Sequence, residues 1–429
     1  MMLSVDLFSQ TLLFIIYLIV FGPLLYGFSR LRSAKGREYP KKQLIIVFLV
    51  AIACSVGAWF VFCSLFPQDT IPVDGIIWVL PVMCAIALII VGIRNKLLVG
   101  IGFFVTIAAL ILLGLITNNY YHYYPTLAAV FQTDVTSTTS QNFTTNTVVL
   151  EQYYQALPNQ TSHGQLLALN IPSSTSTFTP RQGVIYLPPA LAQNPKIKLP
   201  VIVLLPGYPG SPIQWEQSGI QAIMDGFATQ HKGLAPIVAV VDFTGIKDLD
   251  TECVDSRLGS SETYLTKDVP TYLKQHYQVE SDASYWAIGG YSAGGTCGTL
   301  ITLRNPDVYH NFINISGDSM PSLGTPNKTL SILFGGSQQQ LDAHTPNLIL
   351  KQQNPLIKTL NGWYFYGKQD DAATIRRIQA QYNLAVSAGL NVTIHSMDGH
   401  HEFIVWREGY VKALPWISNQ MQLTTYEKR

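Results

Sequence analysis

Charge is scarce in this sequence. Asp, Glu, Lys and Arg make up 12% of 429 residues and nearly cancel, 26 acidic against 27 basic. No basic patch of the kind that neutralises nucleic-acid phosphates is present, so no nucleic-acid partner is expected. Cysteine is scarce too, at five residues, and none of the histidine spacings resembles a zinc site. No metal or cofactor is expected. Internal repeats are absent. The first apolar stretch lacks a basic leader and a small-residue cleavage site, which makes it a retained anchor rather than a signal peptide.

The apolar residues are distributed very unevenly, with most of the excess before residue 118. Four runs without charge stand out: Phe8 to Phe28, Leu44 to Phe66, Ile76 to Ile93 and Leu97 to Ile116. Each is long enough for a helix to cross about 30 Å of hydrocarbon, and none has the polar face that a core helix of a soluble domain would show. Between the first and second runs lie Arg30, Arg32, Lys35, Arg37, Lys41 and Lys42, and between the third and fourth lie Arg94 and Lys96. Positive loops belong in the cytoplasm. The remaining short loop carries Asp69 and Asp74 and no base. The chain is therefore expected to start outside, cross four times and deliver everything after about Asn118 to the extracytoplasmic side.

This reading divides the chain into a membrane domain over 1–117, a juxtamembrane tether over 118–164 and an outer domain over 165–429. Tyr120 to Pro125 reads Tyr-Tyr-His-Tyr-Tyr-Pro, an amphipathic cluster suited to the headgroup layer. Thr133 to Thr147 is rich in Thr, Ser, Asn and Gln, the composition of a flexible tether. Cys54, Cys63 and Cys84 fall in membrane runs. That leaves Cys253 and Cys297 as the only pair in an oxidising compartment, and they are expected to form a disulfide.

Short apolar strands are expected at 165–170, 183–187, 201–205, 237–241, 284–288, 330–334, 363–366 and 392–395, with helix-compatible stretches between them. Strands that are almost wholly apolar and alternate with helices indicate a sheet buried on both faces. The first strands follow each other without a helix, so an antiparallel edge should lead into a parallel sheet. The expected fold class is α/β, an α/β-hydrolase domain preceded by four transmembrane helices.

Within the fifth strand's context lies Gly290-Tyr291-Ser292-Ala293-Gly294, a G-x-S-x-G between an apolar run and a helical pattern. That order of strand, turn and helix makes the pentapeptide a candidate nucleophile elbow. A serine hydroxyl needs a base, and the base a carboxylate to orient it. Gly367-Lys368-Gln369-Asp370-Asp371 and Gly399-His400-His401-Glu402 each follow an expected strand, where α/β sheets place their sites. Asp370 or Asp371, with His400 or His401, would complete the set. Asp371 is the better cap for the helix that starts at Ala372, which leaves Asp370 as the acid. For the oxyanion, two backbone N–H donors are expected, Ala293 after the nucleophile and Tyr208 in the loop Leu205-Pro206-Gly207-Tyr208-Pro209-Gly210.

The elbow with its continuation Gly295-Thr296-Cys297, the segment Cys253-Val254-Asp255-Ser256-Arg257-Leu258-Gly259, and His401-Glu402-Phe403 leading to Trp406 and Leu414-Pro415-Trp416 resemble the esterase family that groups esterase D with the mycolyltransferases of actinobacteria. The layout is similar to its polytopic branch, in which membrane helices precede an extracytoplasmic hydrolase domain. That family sets an aromatic residue two positions after the histidine and a Trp five positions after it. Phe403 and Trp406 stand at those distances from His401, so the resemblance implies His401 as the base. His400 stands where a glycine is usual. The polytopic relatives include enzymes that strip amino acids from aminoacyl-phosphatidylglycerol, so the resemblance implies the lipid bilayer and a membrane lipid ester as partners. Acyl transfer of the mycolyltransferase kind and a non-catalytic binding protein on a hydrolase scaffold are the rival functions.

Overall fold

The computed structural model describes residues 9–33, 75–91, 95–121 and 163–423, apart from 195, 247–248 and 353, with isolated positions at 7, between 45 and 60, and at 124–130. The chain divides into two compact units, Met1–Ala128 and Ala129–Arg429. Most of the second apolar run, half of the tyrosine cluster (122, 123 and 125), the 133–147 segment and the acidic loop at Asp69 and Asp74 lie outside the described residues.

The first unit contains helices Gln10–Ser33, Gly75–Val91 and Lys96–Tyr121. Their contacts bury Leu13, Val20 and Leu24 from the first, Val82, Ala85 and Leu88 from the second, and Leu98, Val105, Ala109 and Leu112 from the third. The opposite faces are no less apolar: Phe14, Leu18, Leu25, Phe103, Phe104, Ile107 and Ile111 all point outward and are exposed. Of an 18-residue apolar window within 96–119 only 28% is buried. An apolar surface of that extent is costly in water and matched in lipid. Four spanning helices were expected. Among the described residues two helices, those covering 10–27 and 96–119, are long and apolar enough to cross a membrane, while 79–90 is a shorter apolar segment.

The second unit is built on an eight-stranded sheet: β1 Gln165–Leu169, β2 Gly183–Leu187, β3 Val201–Leu205, β4 Ile237–Val240, β5 Trp286–Tyr291, β6 Asn311–Ile315, β7 Asn361–Gly367 and β8 Asn391–Met397. Their order across the sheet is β1-β2-β4-β3-β5-β6-β7-β8. β2 runs antiparallel to both β1 and β4. From β4 to β8 every neighbouring pair is parallel. Strands β2 to β6 are buried along their whole length, which is why β2 to β5 read as continuous apolar runs rather than alternations. This is an α/β-hydrolase sheet, with the antiparallel edge that the sequence implies.

One strand was misplaced by sequence reasoning. Leu330–Phe334 is not a strand but the end of a helix, Pro326–Leu333, started by Pro326 and capped by the Thr325 side chain on the Lys328 N–H. The strand in its place is β6, Asn-Phe-Ile-Asn-Ile. Its two asparagines disguise it, yet both are fully buried. Asn311 donates to the carbonyls of Ser284 and Trp286, and Asn314 donates to Thr299 Oγ1. A buried amide with its bonds made is compatible with a central strand.

Two features tie the helix Ala293–Arg304 to its surroundings. Cys253 and Cys297 are joined by a disulfide across 44 residues. It ties the loop after β4 to the helix Ala293–Arg304, and closing a loop of that length stabilises by about 4 kcal/mol in the chain-entropy account. The same helix ends on Arg304, which pairs with Glu262 at 2.8 Å. Glu262 also accepts from Asn305 Nδ2 at 3.2 Å and lies 3.2 Å from His344 Nε2. Burial opposes its ionisation, but the His344 and Arg304 contacts outweigh burial and hold the carboxyl at about 2, against an ordinary 4.5.

A depressed carboxyl stabilises the fold fully above its unfolded value, and that stability is lost as pH falls through the folded one. Between pH 4.5 and 2 the wild type should therefore lose on the order of 3 kcal/mol that Glu262→Gln does not. Urea melts of both proteins at pH 7 and pH 3 check this, and equal losses would contradict it.

Candidate active site

The strand β5 delivers Ser292 into a tight turn before the helix Ala293–Arg304. Ser292 takes φ 52°, ψ −125°, a region that costs an L-residue about 1–3 kcal/mol and persists only where its surroundings enforce it. They do so here. The Ser292 N–H donates to the Ile315 carbonyl at 2.8 Å, and its carbonyl accepts from the N–H groups of Gly295 and Thr296. Gly294 is required by close approach, since a Cβ there would lie 2.5 Å from the Pro206 oxygen and 2.6 Å from that of Leu205. At Gly290 a Cβ would collide with the Leu205 oxygen. The two glycines let strand, turn and helix press against the end of β3.

Asp370 and His401 arrive from the ends of β7 and β8. His401 Nε2 lies 3.0 Å from Ser292 Oγ, and Nδ1 lies 2.9 Å from Asp370 Oδ2. A carboxylate accepts only, so it fixes the proton on Nδ1 and leaves Nε2 to accept from the serine hydroxyl. The Asp370 side chain is 3% exposed and His401 40%. The second Asp370 oxygen accepts the Asp371 N–H at 2.7 Å, so the carboxylate has little rotational freedom. The imidazole edges against Trp406 at 5.1 Å between centroids, Trp406 stacks on Tyr291 at 4.3 Å, and Phe403 packs on Trp406 at 4.7 Å. Aromatic pairs of this kind are worth about 0.5–1.5 kcal/mol each beyond their burial, and they join the serine's neighbour to the helix Phe403–Gln420 that follows the histidine.

The alternatives left by the sequence fall elsewhere. Asp371 caps the helix Ala372–Ser387, accepting from the N–H groups of Ala373 at 3.1 Å and Thr374 at 3.0 Å. The bond from Thr374, with those from Ala373 and the Thr374 hydroxyl, holds its carboxyl below the usual range. His400 is exposed, and its backbone N–H donates to Glu402 Oε1 at 2.8 Å. Of the two expected oxyanion donors, Ala293 is the first residue of its helix, where the N–H has no acceptor within the helix. Tyr208 follows Gly207 in the loop after β3 and is 38% exposed. A Cβ on Gly207 would lie 3.4 Å from Ser292 Cβ, so this loop runs beside the serine.

Residues 174–417 match the family described as "Putative esterase". The chain belongs to this esterase family. In fold its esterase domain is similar to a ferulic acid esterase, with TM-score 0.50 and 19% identity over 60% of this chain and 99% of the other. It is likewise similar to an S-formylglutathione hydrolase from Agrobacterium tumefaciens, with TM-score 0.50 and 15% identity over 60% of this chain and 96% of the other. An uncharacterized protein of Corynebacterium glutamicum is 38% identical over 259 residues, which are 59% of this chain and 61% of that relative's length.

Sequence reasoning missed the side chains that hold the site's loops. Gln214 accepts from the Tyr291 hydroxyl at 2.8 Å, and Arg181 pairs with the buried Asp242 at 2.9 Å. Neither belongs to a motif. The only signal was an Asp placed directly after the apolar run of β4, in a row of residues otherwise wholly apolar. Replacing Asp371 with Ala should lower the unfolding temperature slightly, as for other lost N-caps, and leave Ser292, His401 and Asp370 in contact. Thermal unfolding together with ester turnover checks this, and a thousandfold loss of turnover would make Asp371 part of the chemistry.

Proposed function

We propose that this esterase is a membrane-anchored serine hydrolase that acts outside the cytoplasm on a lipid ester of the aminoacyl-phosphatidylglycerol kind. The observation that carries the reading is the unbroken hydrogen-bonded line from Ser292 through His401 to Asp370. In this reading Ser292 Oγ attacks the ester carbonyl while His401 Nε2 takes its proton. The tetrahedral oxyanion is held by the N–H groups of Ala293 and Tyr208, and Asp370 stabilises the imidazolium. Collapse breaks the bond to the alcohol, which leaves with the proton from Nε2. Water then attacks the acyl-serine and gives its proton to His401, and collapse breaks the bond to Ser292 Oγ, which takes that proton back as the acid leaves. Every proton moves through one imidazole, and no step needs a further group.

The membrane and lipid parts of the reading have their own support. Two described helices are long and apolar enough to span, and their outward faces are apolar. Basic residues are concentrated in two of the segments between the apolar runs, and segments of that kind favour the cytoplasmic side. Four spans would exceed what a tether requires, and a tyrosine cluster at headgroup level would hold the outer domain close to lipid carbonyls.

Detergent-solubilised protein incubated with total polar lipid, wild type beside Ser292→Ala, tests the proposal by lipid mass spectrometry. The expected result is loss of an aminoacylated lipid and release of free amino acid with wild type alone, the variant being slower by about 10,000-fold or more. A newly acylated sugar or lipid would make the enzyme a transferase. Equal turnover by both proteins would remove the serine mechanism.

A further inference from the structure

We infer that Arg181 and Asp242 form a strut that sets the position of the loop beside Ser292, which makes Arg181 a positioning residue for ester hydrolysis; the inference rests on the esterase reading of Ser292. Asp242 follows β4 and its carboxylate is fully buried. It accepts the N–H groups of Arg181 at 2.8 Å, Thr244 at 3.1 Å and Gly245 at 3.0 Å. Arg181 precedes β2 and adds its side chain, Nε at 3.2 Å to one oxygen and Nη2 at 2.9 Å to the other. A carboxylate with this many donors is fixed in place, and it fixes the guanidinium.

That guanidinium reaches a third segment. Nη2 donates to the Gly210 carbonyl at 2.6 Å and to Thr244 Oγ1. Gly210 closes the loop that follows β3 and folds back on its start, for a Cβ on Gly210 would lie 2.6 Å from the Gly207 oxygen. Gly207 in turn lies against the elbow, where its Cβ would come within 2.8 Å of the Tyr291 ring and 3.4 Å of Ser292 Cβ. A line of close contacts therefore runs from a buried carboxylate through Arg181, Gly210 and Gly207 to the nucleophile. The Tyr291 hydroxyl donates to Gln214, whose Oε1 also lies against Gly210.

The position of this loop matters to the rate because an oxyanion donor works only at hydrogen-bond distance from where the charge develops. Losing one donor costs about 100- to 1,000-fold, and a displacement of about 1 Å can cost about 100-fold. A planar fork is what the strut needs. Two nitrogens of one rigid group can meet a carboxylate and, on the same edge, a carbonyl, whereas an ammonium is a point charge on a flexible stem.

The test uses the full chain in detergent, p-nitrophenyl acetate as ester and a fluorophosphonate to titrate reactive serines, with wild type, Arg181→Lys and Asp242→Asn compared below their unfolding temperatures. The lysine variant keeps a charge opposite Asp242, and the asparagine variant leaves no unpaired carboxylate in the interior. Turnover per titrated site should fall about 10- to 100-fold in both. KM should stay within about threefold, and the pH at which kcat reaches half its plateau should not move, since Asp370 and His401 are untouched.

Turnover per titrated site within about twofold of wild type, with only unfolding temperature or the number of titratable sites reduced, would overturn the inference and leave the pair a structural one. A rise in KM at unchanged kcat would overturn it as well. Wild type inert to both the ester and the fluorophosphonate would instead remove the reading of Ser292 itself.

Discussion

The backbone of Ser292 is the constraint on which the rest of the outer domain depends. A residue at φ 52°, ψ −125° between a strand and a helix projects its side chain beyond the sheet's carboxyl end, but only if nothing crowds the turn. That requirement explains Gly290 and Gly294, whose neighbours are main-chain atoms of β3 and the residue that follows it. It also explains why β5 sits in the middle of the sheet, with β3 on one side and β6 on the other. The bond from Ser292 N–H to Ile315 needs β6 in register, and the packing at Gly294 needs β3. Strain at a single residue is thus sustained by the deepest part of the core.

From that turn outward the site is assembled by parts of the chain far apart in sequence. Asp370 and His401 come from the ends of β7 and β8, and the loop bearing Tyr208 comes from β3. The disulfide draws the loop after β4 onto the serine's helix, and the aromatic stack of Tyr291, Trp406 and Phe403 draws the helix that follows the histidine onto the elbow. These contacts are mostly buried and cost little mobility beyond what the sheet already fixes. The imidazole is the exception, 40% exposed at the mouth, where it would meet both an ester and the water that completes hydrolysis.

How much of this was legible in the sequence depends on whether the signal was local. The elbow was legible because its requirement is local: two glycines flanking a serine, a strand before and a helix after. The choice between Asp370 and Asp371 was legible because capping has its own local rule, and Asp371 obeys it. The strand β6 was not legible, since Asn311 and Asn314 owe their burial to partners at Ser284, Trp286 and Thr299 that no window around them contains. For the same reason the pairing of Arg181 with Asp242, 61 positions apart, was not legible, although Asp242 stands out after an apolar run. In the first unit the apolar runs were plain from composition, whereas the second of them lies mostly outside the described residues.

The central claim is that Ser292, with His401 and Asp370 behind it, is a working nucleophile. Mass mapping of the adduct formed by a fluorophosphonate on the detergent-solubilised chain tests it most directly, with Asp370→Asn carried in parallel. The account requires one adduct, on the peptide that contains Ser292, formed far more slowly in the Asp370→Asn protein. No adduct on that peptide, or one formed as fast without the carboxylate, would contradict it.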